Sequence, residues 1–156
     1  MRFVALVSSM LMSSCATAET RSIAQAWPSS GYAGFVESID AFVGPGLVNC
    51  GFFHLIGDKP PSAARRQAHA CVKRAIASGQ TFKYGTERLP IDSYATEVIA
   101  RTADGKLWKI VFDVMIDGDA PQQWNQVCQS VAVDPRTMII DARNCVENST
   151  GMLVTQ

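Results

Sequence analysis

The sequence CQSVAVDPRTMIIDARNC at residues 128–145 begins and ends with a cysteine. Two β-prone runs, residues 129–133 and 138–142, lie on either side of the sequence DPRT. Aspartate and proline between β-prone runs are typical of a turn that reverses the chain. The stretch therefore predicts a β-hairpin with a cysteine at the outer end of each strand.

The length of the turn fixes the register of this hairpin. With a loop of residues 135–138, Val131 faces Ala142 and Cys128 faces Cys145. Facing residues of antiparallel strands have Cα atoms roughly 4.5–5.5 Å apart, which is within the range of a disulfide. The sequence therefore predicts a Cys128–Cys145 disulfide that closes the hairpin.

The other cysteines support a second disulfide. When Cys15 is set aside, four cysteines remain, and four cysteines allow three pairings. Once Cys128 is paired with Cys145, Cys50 pairs with Cys71 by elimination. A zinc site is disfavoured because the chain has no C-x-x-C motif and no histidine at finger-like spacing from a cysteine. Two disulfides indicate an oxidising compartment.

The N-terminus predicts export. Residues 1–18 begin with Met-Arg, continue with an apolar stretch and end in small residues, as in a secretory signal peptide. The sequence ATA at residues 16–18 fits the rule for cleavage before Glu19. The expected product is soluble in the periplasm or secreted.

A second interpretation of the N-terminus stays open. Residues 11–15, LMSSC, resemble a bacterial lipobox, in which the cysteine receives a lipid and becomes the new N-terminus. Ser14 fits this pattern, whereas Met12 replaces the usual Leu, Val or Ile. The resemblance implies an outer-membrane lipoprotein with Cys15 as the lipidation site.

The rest of the chain is expected to form one domain. Residues 19–34 are polar and predict a flexible arm, which is followed by a single α+β domain of residues 35–156. Apolar residues at helical spacing predict a short helix over residues 35–43. A longer helix is predicted between Ser62, a suitable N-cap, and Gly79, a suitable stop.

The longer predicted helix has a face of small apolar residues and several cations. Its expected inner face consists of Ala64, Ala68, Cys71, Val72, Ala75 and Ile76. The cations are expected on the remaining circumference, in solvent or against an acidic partner: Arg65, Arg66, Lys73 and Arg74.

The second half of the chain predicts antiparallel strands. Asp104-Gly105 joins two β-prone runs, residues 95–102 and 106–115, and predicts a hairpin. Residues 81–84 form another candidate strand, whereas residues 47–56 fit either a strand or a short helix. We therefore expect an α+β fold with two disulfides, in which two helical segments pack on one face of an antiparallel meander of four or five strands.

Composition and motifs exclude several function classes. Lys plus Arg is 14 and Asp plus Glu is 14, so the chain lacks the positive charge of a nucleic-acid-binding domain. No apolar run is long enough to cross a membrane. The two histidines, His54 and His69, have no metal-binding or catalytic neighbours in the sequence, and Asp117-Gly118-Asp119 lacks the ligand spacing of an EF-hand. We predict no catalytic residues, no metal and no cofactor.

These observations favour a protein that binds another protein in the cell envelope. An inhibitor or an immunity protein against a periplasmically acting toxin fits a compact, disulfide-stabilised module, and a structural lipoprotein is the alternative. The partner is expected to be a toxin, an enzyme or an envelope component. The candidate contact residues are Trp27, Asp117, Asp119 and Trp124. A small hydrolase that combines His54 with Asp113 or Asp117 is the remaining hypothesis.

Overall fold

The computed structural model describes residues 31–54, 61–88, 91–115 and 122–148. Within these ranges the chain forms two helices and six strands: α1 (Gly31–Val43), β1 (Val48–His54), α2 (Ala63–Ser78), β2 (Phe82–Arg88), β3 (Ser93–Arg101), β4 (Leu107–Met115), β5 (Gln122–Val133) and β6 (Ile140–Glu147). The predicted signal peptide and the predicted arm up to residue 30 lie outside the described residues. The first turn of α1 falls within residues 31–34, which the sequence assigns to that arm.

The six strands form one mixed sheet in the order of the chain. Strands β2 to β6 pair antiparallel, as expected for a meander, but β1 pairs parallel to β2. The expectation of a purely antiparallel sheet is therefore wrong. The reason is that α2 carries the chain from the end of β1 back to the start of β2, which is how parallel neighbours are connected. An α+β fold with two disulfides is confirmed.

The two helices lie on opposite faces of the sheet, and not on one face as expected. Phe35 and Ile39 of α1 pack in the same cluster as Val98. Val72 of α2 packs in the same cluster as Ile99, and we call this cluster the α2 cluster. Adjacent residues of a strand point to opposite faces, so each helix covers a different side. Both faces of the sheet carry apolar side chains, and each therefore needs a cover.

Helix α2 begins and ends where its sequence predicts. The Ser62 hydroxyl accepts a hydrogen bond from the backbone N–H of Arg65 at 3.1 Å. Gly79 has a φ of 69°, and its N–H donates to the Ile76 carbonyl at 3.2 Å. This left-handed conformation is one that glycine adopts without the steric cost of a Cβ atom.

Arg65 departs from its predicted exposure. Its side chain is buried, and Nη2 donates to the Thr137 carbonyl at 2.9 Å. Ala64, which was expected on the inner face, is exposed instead. The buried face of α2 therefore includes Arg65 in place of Ala64, because the Arg65 guanidinium binds the turn between β5 and β6. Helix α2 is thereby attached to that turn as well as to the sheet.

The register predicted for the last hairpin is confirmed. Cys128 faces Cys145, Val131 faces Ala142, and the two cysteines form a disulfide with a Cα–Cα distance of 4.0 Å. Cys128 and Val131 both pack in the α2 cluster, although a regular strand would direct them to opposite faces. The ladder is interrupted between them, and Asn144 has a φ of 53° at this point. This irregularity directs the disulfide into the core.

The second predicted disulfide, Cys50–Cys71, joins β1 to α2 with a Cα–Cα distance of 5.6 Å. Cys50 lies in a bulge, where the register with β2 shifts between Asn49 and Phe52. Gly51, with a φ of 99°, supplies the unusual backbone conformation that this bulge requires. The bulge places Cys50 in the α2 cluster, opposite the helix that carries its partner.

Acidification is expected to weaken the turn between β5 and β6. Backbone N–H groups of Arg136 and Thr137 donate to Asp134 Oδ1 at 2.8 and 3.3 Å and hold the pKa of Asp134 below its ordinary value. A carboxyl whose pKa is lower in the folded state stabilises that state above its unfolded pKa, which is about 3.9, and loses this contribution as the pH falls through the folded pKa. We expect Asp134→Ala to lower the melting temperature slightly at pH 7. The difference from the wild type should shrink below pH 4, whereas a constant difference would contradict this explanation.

Candidate functional site

One end of the sheet carries a group of charged and exposed side chains, among them Arg88, Ile91 and Tyr94. Strands β2 and β4 end there at Arg88 and Met115, and β3 and β5 begin there at Ser93 and Gln122. The register places these four residues on one side of the molecule. We call this side the distal end, because the Cys128–Cys145 disulfide lies towards the opposite end of β5. We call the side of the sheet on which α2 packs the α2 face.

A buried carboxylate joins three strands on the α2 face near the distal end. The side chain of Glu97 in β3 is only 8% exposed. Its Oε2 lies 3.0 Å from Nζ of Lys109 in β4, and its Oε1 lies 3.6 Å from Nη2 of Arg88 in β2. A buried carboxylate must be paired to remain charged, and these two cations pair it. The cluster ties β2, β3 and β4 together.

Asp113 and Trp124 lie beside this cluster on the same face. Asp113 faces Gln122 in the register, and Trp124 faces Val111. The two residues are therefore diagonal neighbours on adjacent strands, a separation of about 7–8 Å that long and aromatic side chains bridge. Asp113 is partly buried, and its Oδ1 is inaccessible to water and has no hydrogen-bond partner in the described part of the chain. Trp124 is also partly buried.

Two large apolar side chains are exposed at the distal end, Ile91 in the connection between β2 and β3 and Tyr94 at the start of β3. Ile91 is fully exposed, and Tyr94 is 61% exposed. Tyr94 faces Val114 across the ladder, on the face that α1 covers. Exposed apolar and aromatic residues near one another are typical of a protein contact surface. Sequence reasoning missed both residues, although the flanking Pro90 and Asp92 indicated a turn that would expose them.

The structure brings together only some of the residues singled out in the sequence. Trp124 lies at the distal end, whereas Cys15, Trp27, Asp117 and Asp119 are outside the described residues.

Of the two histidines, His69 lies on α2, whereas His54 lies at the distal end, where it faces Glu87 of β2. His69 of α2 is buried, and its Nε2 has no hydrogen-bond partner in the described ranges. His54 ends β1, and Asp113 lies on β4. Two strands separate them, which places their backbones about 14 Å apart. The fold therefore does not bring His54 and Asp113 together as the hydrolase hypothesis requires.

The described residues contain no group of three His, Cys, Asp or Glu side chains that could hold a metal ion. Neither helix in the described ranges has the length and apolar character needed to cross a membrane. The two disulfides are typical of a protein that folds in an oxidising compartment.

No known protein family, curated protein sequence or solved structure matches this chain.

Proposed function

We propose that the protein is an exported module that binds another protein through the distal end of its sheet. The observation that carries this proposal is the exposure of Ile91, in the connection between β2 and β3, and of Tyr94, at the start of β3. Tyrosine is enriched among the residues that dominate binding energy at protein interfaces. Ile91 is fully exposed, and burial against a partner would remove its apolar surface from water.

The disulfides support a recognition role because they limit the motion of the scaffold. Cys50–Cys71 fixes α2 to β1, and Cys128–Cys145 fixes the last two strands to each other. A surface that is already ordered loses less conformational entropy when it binds. Periplasmic inhibitors and immunity proteins have this requirement, and the periplasm provides the oxidising conditions that disulfides need. We therefore propose an inhibitor or immunity function in the periplasm.

The proposal predicts that the Ile91→Ser/Tyr94→Ser double variant loses its partner. The wild-type protein, immobilised in its disulfide-bonded form, is used to retain proteins from an envelope extract, and the retained partner is purified for calorimetry. We expect the double variant to bind this partner at least tenfold more weakly, since a loss of about 1.4 kcal/mol corresponds to a factor of ten. Truncation of two interface side chains readily exceeds that loss.

Val146→Ser provides the matched control for this experiment. Val146 is 70% exposed on β6, so its replacement removes similar apolar surface away from the distal end. The control should bind the partner as the wild type does. Equal weakening by the control, or the absence of any stably retained protein, would contradict a binding surface at Ile91 and Tyr94.

A further inference from the structure

The outward side of α2 carries only positive charge. Arg66, Lys73 and Arg74 are exposed on this helix, and its 16 residues include no Asp or Glu. With about 3.6 residues per turn, the three side chains fall within a sector of roughly 100°. Exposed helices usually mix both signs, because an acid and a base one turn apart stabilise each other. We call Arg66, Lys73 and Arg74 the cationic surface of α2.

No carboxylate in the described part of the chain pairs with the cationic surface of α2. The ion pairs between described residues all lie outside this helix. Arg66 donates to the Pro61 carbonyl, which is neutral and leaves the charge of the guanidinium in place. The turn between β5 and β6, which Arg65 contacts, contains Asp134 and Arg136, whose charges cancel. The positive charge of this surface is therefore unopposed by the described residues.

The position of Arg66 is unfavourable for the isolated helix. Arg66 lies in the first turn of α2, where the positive end of the helix dipole disfavours a cation. Its neighbour Arg65 is explained by a buried hydrogen bond to the Thr137 carbonyl, whereas Arg66 is exposed. A carboxylate bound at this point would interact favourably with both the guanidinium and the helix dipole. The surface is therefore complementary to an acidic ligand.

The side chains around the cations favour an acidic protein over an anionic membrane. A basic helix binds a membrane by burying its apolar side in the lipid. The apolar side of α2 packs in the α2 cluster, and the Cys50–Cys71 disulfide fixes it to β1. The exposed residues beside the cations are short or polar, namely Ala63, Gln67 and Ala77. They leave room for a polypeptide to approach, and the two arginines can each donate two hydrogen bonds to a carboxylate.

We propose that the cationic surface of α2 binds an acidic segment of another protein. Asp or Glu side chains of this segment pair with Arg66, Lys73 and Arg74. Tyr94 lies on the opposite face of the sheet, which α1 covers, so the surface is separate from the contact proposed for the distal end. Attraction between unlike charges of this kind accelerates association and makes it sensitive to salt.

The experiment titrates a decaglutamate peptide with blocked ends into the intact, disulfide-bonded protein at pH 7. We expect saturable shifts of the Arg66, Lys73 and Arg74 amides in proton–nitrogen spectra. The triple variant with glutamine at these positions should bind about tenfold more weakly, since each exposed ion pair contributes a factor of about two to three and the factors multiply. Wild-type binding should weaken as salt rises from about 0.01 M to about 0.15 M, because the Debye length falls from about 30 Å to about 8 Å.

A second triple variant is the matched control. Lys106→Gln/Arg136→Gln/Arg143→Gln removes the same number of charges from exposed positions outside α2. Its dissociation constant should stay within about twofold of the wild-type value, which is the factor expected from a single exposed ion pair. Equal weakening by both triple variants would mean that the peptide responds to net charge alone and would overturn the assignment.

Two further measurements separate this inference from its alternatives. Vesicles of phosphatidylglycerol that bind through the same three residues, and bind more tightly than decaglutamate, would identify a membrane surface and overturn the acidic-protein assignment. The Ile91→Ser/Tyr94→Ser variant should bind decaglutamate as the wild type does. A loss of binding in that variant would place the peptide at the distal end and equally overturn the site on α2. Because the probe is a defined peptide, the result does not depend on whether the distal end captures a partner.

Discussion

Replacing Cys71 by serine is expected to lower the free energy of unfolding by about 3 kcal/mol. The Cys50–Cys71 disulfide closes a loop with a sequence separation of 21, and loops of this size give about 3 kcal/mol in the chain-entropy treatment of disulfides. The loss should be close to the full value because Cys50 lies in a bulge, where the ladder between β1 and β2 is irregular. The disulfide therefore supplies a link between β1 and α2 at a point where β1 is otherwise weakly held. Urea unfolding followed by circular dichroism measures the change.

The matched comparison is Cys145→Ser. Cys128 and Cys145 face each other in a hairpin whose ladder continues on both sides of the interruption at Asn144, so these pairings still hold the two strands when the disulfide is absent. We expect a smaller loss, although the sequence separation of 17 is similar. Double variants, with both cysteines of one pair replaced, remove the effect of a leftover thiol. A greater loss for the Cys128–Cys145 pair than for the Cys50–Cys71 pair would contradict this ranking.

The parts of the fold that the sequence predicts correctly are those fixed by local chemistry. The turn at residues 134–137 sets the register of its hairpin, because each residue added to a turn shifts every pair in the ladder. Ser62 and Gly79 mark the ends of α2, because each satisfies backbone groups that a helix end leaves unpaired. Such signals need no knowledge of the rest of the molecule.

The errors arise where distant parts of the chain decide the outcome. The bulge in β1 interrupts the alternation of side chains between the two faces of the sheet, so Cys50 and Phe53 both pack in the α2 cluster. The periodicity of residues 47–56 therefore does not distinguish a strand from a helix. Arg65 is buried because carbonyls more than seventy positions away accept its hydrogen bonds. An apolar stripe shows that a helix packs on an apolar surface, but it does not show which face of the sheet provides that surface. This ambiguity explains why α1 was expected on the same face as α2.

The candidate site was only partly accessible to sequence reasoning for a similar reason. Trp124 and Asp113 attract attention by residue type, but their diagonal relation depends on the register between β4 and β5. The lack of a donor for Asp113 depends on every side chain around it. Ile91 and Tyr94 are exposed because β2 ends at Arg88 and β3 begins only at Ser93. Their residue types alone do not indicate this exposure. Recognition surfaces depend on the tertiary structure, whereas turns and the disulfide that closes a hairpin follow from the local sequence.

Replacing Phe35 by alanine is expected to cost about 3–5 kcal/mol of stability, the usual range for a fully buried phenylalanine. Phe35 is completely buried between α1 and the sheet, and its ring centroid lies 5.0 Å from that of Phe112 in a stacked arrangement. Its removal leaves a cavity that α1 cannot close, because the Lys83 ammonium holds α1 to the sheet through the Asp40 carboxylate.

Phe35→Leu is the control for this change, because leucine keeps most of the buried apolar volume. We expect it to cost roughly 1–2 kcal/mol, a fraction of the alanine loss. Urea unfolding is measured by tryptophan fluorescence in a Trp27→Phe/Trp124→Phe background, which leaves Trp108, a member of the same cluster, as the reporter of this face of the sheet. A loss below about 1 kcal/mol for Phe35→Ala would mean that α1 does not pack on Phe112 in solution, since truncation of an exposed side chain rarely costs more. A loss in the expected range, together with an unchanged denaturant slope, would show that α1 is an integral part of the folded domain and covers the face opposite α2.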